Sequence, residues 1–155
     1  MPTPVSATES SGALKNVMAI AVGVADGLGL GFNSRAALIT RGLAEMARLG
    51  VALGALPYTF AGLAGVGDLV LTCTGPLSRN RSLGVVIGQG ATLEEAVRGR
   101  DTVAEGVPTA QSAQQLARGR QIDMPIVDAV HGILFESRPA RDAIRSLMTR
   151  ELRGE

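Results

Sequence analysis

A single lysine stands out among the residues that could do chemistry. Of the 15 lysine and arginine residues in this chain of 155, only Lys15 is a lysine. It lies in the segment GALKNV, within a very apolar stretch, where burial disfavours the charged ammonium and favours an amine that can transfer a proton. Arginine cannot take that role, because it stays protonated. Two alternatives stay open. The single lysine can be a chance result of the composition, or its side chain can extend the amine to the surface.

A carboxylate and a basic segment are the next candidates. Asp68 lies in AGVGDLVLTC, where an unpaired buried charge is costly, so we expect it either to cap a helix or to hold a catalytic ammonium. Ser78, Arg79 and Asn80 begin a predicted helix, whose first amide groups and dipole favour an anion. The guanidinium of Arg79 suits a phosphate. The segment SRNR therefore predicts a phosphate site, with an ordinary solvated helix start as the alternative.

The remaining polar candidates indicate little further chemistry. Glu105 lies in a loop, where it can accept hydrogen bonds from sugar hydroxyls or simply be solvated. His131 is the only histidine and has no second histidine or cysteine pair nearby, so we expect no metal site. The sequence has no GxSxG, HExxH or Walker pattern, and no GxGxxG turn after a strand.

Helices must position these side chains, because the sequence shows no pair of alternating strands joined by a hairpin turn. We expect residues 1–10 to form a flexible leader and residues 11–155 to form one helical domain. The first helix, Ser10 to Ala25, is apolar nearly all round, as a central buried helix would be. The further predicted elements are a helix from Asn33 or Ser34 to Arg48 with Gly50 as its stop, a short helical turn over Pro57 to Ala61, an apolar segment from Asp68 to Cys73, a turn at Gly75-Pro76, a helix over Arg79 to Ile87 capped by Ser78, a capping box from Thr92 to Glu95, a loop from Thr102 to Pro108, and helices over Thr109 to Arg118, Pro125 to Phe135 and Pro139 to Arg150.

Composition limits the class of protein. A hydrophobic content of 46% and a net charge of +1 fit an ordinary globular protein, with no indication of nucleic acid or an anionic membrane as partner. The 20 glycines lie among small apolar residues and favour close helix packing. Cys73 is the only cysteine, so we expect no intrachain disulfide and a reducing cytoplasm. Residues 49–71 are long enough to span a bilayer, but Pro57, several glycines and Asp68 favour a buried helix-turn-helix.

Several segments resemble one protein family in order and spacing. They extend from about Ser11 to Arg150 and include GALKNVMAIAVGVADGLGLGFNSRAALITRGLAEMARLG, TFAGLAGVGDLVLTC, PLSRNR, VAEGVPTA and MPIVDAV. The resemblance is to the C-terminal, substrate-binding helical domain of the bacterial NAD(P)-dependent glycerol-3-phosphate dehydrogenases. It implies an all-α, bundle-like fold of the 6-phosphogluconate-dehydrogenase-like type. The N-terminal Rossmann domain of the family, with its glycine-rich turn, has no counterpart in these residues.

The resemblance also implies a substrate and a role for each candidate residue. The family interconverts dihydroxyacetone phosphate and sn-glycerol 3-phosphate, which supplies phospholipid synthesis. Lys15 is similar to the family's proton donor and acceptor, and Asp68 to a residue of its substrate pocket. Ser78, Arg79 and Asn80 are similar to residues that contact the substrate phosphate.

The cofactor implied by the resemblance is NAD or NADP. Arg79, Val103 and Glu105 are similar to residues through which the helical domain contacts that cofactor. Because a second lysine of the family pattern is also missing, we expect the chain alone to be inactive. A separate Rossmann domain and a second copy of the chain are the expected protein partners.

Three functional hypotheses therefore follow from the sequence. The leading one is the catalytic, substrate-binding half of an NAD(P)-dependent glycerol-3-phosphate dehydrogenase. The second is a non-enzymatic phosphate-binding or dimerisation module derived from such an enzyme. The third is a related dehydrogenase for another small acid or alcohol, which the SRNR segment argues against.

Overall fold

The computed structural model describes residues 7–54, 63–74, 78–100 and 102–150, and every regular element in them is an α-helix. The predicted all-α fold is therefore confirmed. The predicted helical turn at 57–61 and the turn at 75–76 lie outside the described residues. The helices are α1 (Ala7–Gly27), α2 (Phe32–Ala52), α3 (Leu63–Thr74), α4 (Arg79–Gly88), α5 (Leu93–Val97), α6 (Gly106–Arg120), α7 (Pro125–Phe135) and α8 (Ala140–Thr149).

Helix α1 is the centre of the fold, as its sequence predicts. Every residue from Val17 to Ala25 is buried, and α2, α3, α4, α6, α7 and α8 all pack against this helix. An apolar surface on all sides is what such a position requires. The helix begins at Ala7 and not at Ser10, so the last four residues of the expected leader are helical. Those residues, ATES, contain no glycine or proline that would break a helix.

Glycines bring α1 and α4 into close contact. A methyl group at Gly23 would meet the carbonyl oxygen of Arg81, and one at Gly84 would meet the carbonyl oxygen of Ile20. Gly27 and Gly88 meet α4 and α1 in the same way. The expectation that glycines serve close helix packing is confirmed here, and the two backbones are fixed at a short separation because no side chain keeps them apart.

Helix α2 is longer at both ends than its sequence predicts. It begins at Phe32 after Gly31, and neither Asn33 nor Ser34 caps it with a side-chain hydrogen bond. It also continues through Gly50, which is buried against the core, and ends at Ala52. The stop lies at Gly54, whose φ of +104° is a conformation that glycine adopts without strain.

The predicted loop from Thr102 to Pro108 is shorter than expected, because α6 already begins at Gly106. Pro108 lies in the first turn of α6, where a missing backbone N–H costs nothing. The helix Pro125 to Phe135, the Ser78 cap of α4 and the capping box of Thr92 and Glu95 are all confirmed. Among the described residues, no helix is both long enough and apolar enough to cross a membrane.

Candidate active site

Lys15 and Asp68 form an ion pair between α1 and α3. The Lys15 Nζ lies 2.8 Å from Asp68 Oδ2, and the two side chains are 34% and 55% exposed. Asp68 lies in the middle of α3 and does not cap it, so the capping interpretation is wrong. That the ammonium it holds is catalytic stays a prediction. Leu14 and Val17 are fully buried on either side of the lysine. The ammonium therefore emerges from an apolar helix, is partly open to solvent, and is held by one carboxylate.

Beside this pair, side chains from three helices form a closed ring of hydrogen bonds. The Asn80 Nδ2 donates to Asn16 Oδ1 at 3.2 Å, and the backbone N–H of Gly106 donates to Asn80 Oδ1 at 2.8 Å. The Asn16 Nδ2 donates to Glu105 Oε2 at 3.3 Å, and the chain from Glu105 to Gly106 closes the ring. Asn16 adjoins Lys15 on α1, so the ring joins the lysine to α4 and α6.

Arg79 lies at the first turn of α4, next to the ring. Its Nη1 donates to Thr102 Oγ1 at 3.1 Å, which directs the guanidinium towards the segment that precedes α6. Ser78 caps the helix, and its Oγ accepts from the Arg81 N–H at 3.2 Å. The first amide groups of a helix have no partner within it, and they carry the positive end of its dipole. Together with the exposed guanidinium they form a cationic helix start.

The candidate residues from the sequence are not all equally open to a ligand. Val103 is 51% exposed and Glu105 is exposed, so both lie at the surface beside Arg79. Asn80 is only 8% exposed, and both ends of its amide are already bonded within the protein. It retains one amide N–H for any external anion.

A cluster that sequence reasoning missed fixes the start of α4. Asp26 accepts from Arg35 at 3.2 and 3.0 Å and from Arg81 at 3.1 and 3.0 Å, which ties α1 to α2 and α4. The signal was present, because an acidic residue in the last turn of an apolar helix opposes the helix dipole and requires a cationic partner.

Two other titratable residues are not arranged for catalysis. Burial raises the pKa of the Cys73 thiol to about 12, so it stays protonated and is not a nucleophile. His131 lies 3.1 Å from Glu136 Oε1 and packs on Phe135. Within the described ranges, no group of three or more histidine, cysteine or acidic residues is placed to hold a metal ion.

Comparison with known proteins identifies the family of the chain. The family model described as "NAD-dependent glycerol-3-phosphate dehydrogenase C-terminus" matches residues 5–145. The chain is 62% identical over 147 residues to the glycerol-3-phosphate dehydrogenase [NAD(P)+] of Geobacter sp. strain M21, covering 95% of this chain and 44% of that protein. It is 60% identical over 153 residues to that of Geobacter sulfurreducens, covering 99% of this chain and 46% of the relative.

Solved structures agree in fold. The crystal structure of glycerol-3-phosphate dehydrogenase from Coxiella burnetii superposes with a TM-score of 0.88 at 45% identity, over 93% of this chain and 44% of the other. The enzyme from Saccharomyces cerevisiae superposes with a TM-score of 0.81 at 27% identity, over 92% of this chain and 43% of the other. The chain thus spans less than half the length of the relatives it matches, and it belongs to the family of NAD-dependent glycerol-3-phosphate dehydrogenases, as their C-terminal helical domain.

Proposed function

We propose that the chain is the substrate-binding and catalytic half of an oxidoreductase that interconverts sn-glycerol 3-phosphate and dihydroxyacetone phosphate. The observation that carries the proposal is that Lys15, held by Asp68, and Arg79, at the start of α4, are the sequence neighbours of Asn16 and Asn80, which are hydrogen-bonded to each other. A proton-transfer group and a phosphate-binding group on adjacent helices are what a small phosphorylated alcohol requires.

The phosphate is held at the start of α4. Arg79 donates to its oxygens from a planar fork, and the first amide groups of α4 donate from the helix end. Ser78, as the cap, keeps that end in place. Asn80 supports it from inside the protein and has one N–H left for the phosphate.

Lys15 handles the proton at the reacting oxygen. In reduction, the ammonium donates a proton to the ketone oxygen as hydride reaches the carbon, and the resulting amine regains a proton from solvent. In oxidation, the amine removes the hydroxyl proton. Asp68 orients Nζ through the 2.8 Å hydrogen bond that it accepts from it. Both side chains of the ion pair are partly exposed, so water can reach Nζ.

The surface beside Arg79 fits the edge of a nicotinamide dinucleotide, which supplies the hydride when bound. Arg79 points to Thr102, and exposed Val103 and Glu105 follow along the chain. Val103 offers an apolar contact and Glu105 an acceptor for hydroxyl groups. The phosphate-binding turn for a dinucleotide is supplied by a Rossmann domain in this proposal. We therefore expect no turnover by the 155 residues alone.

Calorimetric titration of the chain with sn-glycerol 3-phosphate tests the substrate class. We expect binding that Arg79→Ala weakens at least about tenfold, since a hydrogen bond to a charged group contributes roughly 1.5–3 kcal/mol. The matched control is Arg141→Ala, which removes an exposed arginine from the first turn of α8.

Three results would contradict the proposal. They are unchanged affinity in Arg79→Ala, equal affinity for unphosphorylated glycerol, and no binding by the wild-type chain. Phosphate binding without discrimination for the glycerol part would favour a phosphate-binding module without catalytic function.

A further inference from the structure

We propose that Asn16 is a positioning residue, which fixes the offset between Lys15 on α1 and Arg79 on α4 through the ring that it forms with Asn80, Glu105 and Gly106. The inference rests on the proposed function, and it assigns Asn16 no contact with substrate. Asn16 and Asn80 are each the immediate sequence neighbour of one of the two groups that they connect.

Two groups fix the direction of the hydrogen bonds in the ring: the backbone N–H of Gly106 and the carboxylate of Glu105. A backbone N–H can only donate, so Gly106 must meet Asn80 Oδ1, and Asn80 Nδ2 must then meet an acceptor on Asn16. Asn16 thus presents its own NH₂ group to Glu105, whose ionised carboxylate can only accept. Every donor faces an acceptor in this arrangement, and neither amide can be turned over without breaking a bond.

The ring is also tightly enclosed at Gly106. A methyl group there would lie 2.7 Å from Asn80 Oδ1, 2.7 Å from Ile20 Cδ1 and 2.8 Å from the Asn16 carbonyl oxygen. Because α6 has no side-chain cap of its own, the Asn80 amide takes the first N–H of that helix. Asn80 therefore holds the start of α6 against α1, and Asn16 holds Asn80.

The effect of the ring on affinity depends on whether a ligand contacts only α4 or both α4 and α1. Inorganic phosphate needs only α4, since Arg79 and the first amide groups of that helix lie on one element. A phosphorylated alcohol must reach α4 with its phosphate and Lys15 on α1 with its hydroxyl. Only the two-ended ligand depends on the offset between the helices, and a small misplacement of reacting groups is costly.

The test compares two affinities of the 155-residue chain by calorimetry, for sn-glycerol 3-phosphate and for inorganic phosphate. Asn16→Ala removes the ring without changing charge, and Asn33→Ala, an exposed asparagine of α2, is the matched control. The double variant Asn16→Asp with Glu105→Gln restores the ring with one bond reversed, because the new amide at position 105 then donates to the new carboxylate at position 16. Its net charge equals that of the wild type.

We expect Asn16→Ala to lower the affinity for sn-glycerol 3-phosphate at least about tenfold, as for loss of one coupled interaction. The affinity for inorganic phosphate should fall by less than about twofold. The double variant should recover the ratio of the two affinities to within about threefold of wild type. In the free chain, amide hydrogen exchange at Gly106 should be faster in Asn16→Ala and slow again in the double variant, because the ring protects that N–H.

Distinct outcomes separate this inference from the proposed function. Equal loss of both affinities in Asn16→Ala would show a merely structural role and overturn the inference. If the wild type binds sn-glycerol 3-phosphate, unchanged affinities or unchanged hydrogen exchange at Gly106 in Asn16→Ala would also overturn the inference. If the wild type binds neither ligand, the proposed function fails and the inference falls with it, since nothing is then positioned.

Discussion

At the scale of single residues, the central feature is an ammonium that the fold keeps partly in water. The Lys15 side chain is 34% exposed although Leu14 and Val17 beside it are fully buried. Burial is therefore less complete than the apolar sequence around Lys15 predicts. The 2.8 Å contact with Asp68, and not isolation from solvent, is what sets the position of Nζ.

The function of the Asp68 carboxylate can be separated from its effect on stability. We expect Asp68→Asn to change the free energy of unfolding by less than about 1 kcal/mol, because an exposed ion pair contributes little. The same variant should lose affinity for sn-glycerol 3-phosphate, because Nζ is no longer held towards the substrate. Urea unfolding and calorimetry measure the two effects.

Asp123→Asn is the matched control for this prediction. Asp123 pairs with Arg150 at 2.7 Å with side chains 53% and 37% exposed, so the two ion pairs are alike in length and exposure. Equal loss of affinity in both variants would show that Asp68 acts only through stability.

The sequence predicts some residues of the candidate site, but it does not predict the contacts between residues that are distant along the chain. A lone lysine, an acid in an apolar segment and a serine before an arginine are local signals, and the structure pairs the lysine with the acid and makes the serine a helix cap. The pairing of Asn16 with Glu105 joins residues 89 positions apart, and no local pattern indicates it. The sequence predicts an Asn80 that binds a ligand, and the structure adds bonds to a backbone N–H and to the Asn16 amide that leave it one free amide N–H.

At the scale of elements, a buried carboxyl joins α2 to α7. Glu45 is 1% exposed, and its Oε2 and Oε1 accept from the backbone N–H groups of Ile126 and Val127 at 2.7 and 3.3 Å. Helix α7 has no side-chain cap of its own, so a residue from another helix caps it. Burial raises the pKa of Glu45 from 4.5 to about 8, opposed by these two bonds and by Arg48, with Asp128 adding to the rise.

This raised pKa predicts how stability depends on pH. The folded chain keeps a proton on Glu45 that the unfolded chain gives up above 4.5, so this contribution is present below 4.5 and is lost as pH rises through about 8. The free energy of unfolding should fall by more than about 1 kcal/mol between about pH 5 and 8. Urea unfolding across this range measures it.

Glu45→Gln, which resembles the protonated form, should flatten most of that dependence. Burial also raises the pKa of Asp128, so the contribution of that group has the same sign. Glu94→Gln, at an exposed position on α5, is the control and should leave the slope as it is. A wild-type chain whose stability rises over this range would contradict the raised pKa.

The close contact between α1 and α4 predicts how two glycine substitutions change the stability of the fold. In Gly84→Ala the new methyl group meets the Ile20 carbonyl oxygen, so the helices must separate, and we expect a loss of roughly 3 kcal/mol. Gly119→Ala, in α6 with nothing within 4 Å, should gain about 0.5–1 kcal/mol instead. Thermal unfolding distinguishes them, and equal effects would refute the packing argument.

Helix identity is more predictable than helix ends. Apolar periodicity and caps such as Ser78 and Thr92 mark helices locally, and the structure confirms both caps. The sequence predicts a stop at Gly50, but this glycine is buried inside α2, because its contact with the core outweighs its weak helix preference. The start of α6 escapes prediction because its first N–H is satisfied by Asn80 from another helix, which no neighbouring residue in the sequence indicates.

At the scale of the whole molecule, the proposal gives the helical domain one side of a reaction site. The chain covers 44% of one relative and 46% of another. Lys15 is partly exposed, Arg79, Val103 and Glu105 are exposed, and the described residues contain no dinucleotide-binding turn. The proposal therefore assigns hydride transfer to this domain only in combination with a Rossmann domain.

The most direct measurement is the oxidation of NADH or NADPH by dihydroxyacetone phosphate in a fusion of this chain to the N-terminal portion of a relative. We predict turnover by the fusion, none by the chain alone, and a loss of about 10²–10⁴-fold in Lys15→Ala, as for removal of a general acid. A Lys15→Ala fusion that reacts at the wild-type rate, or a folded wild-type fusion without activity, would contradict the account.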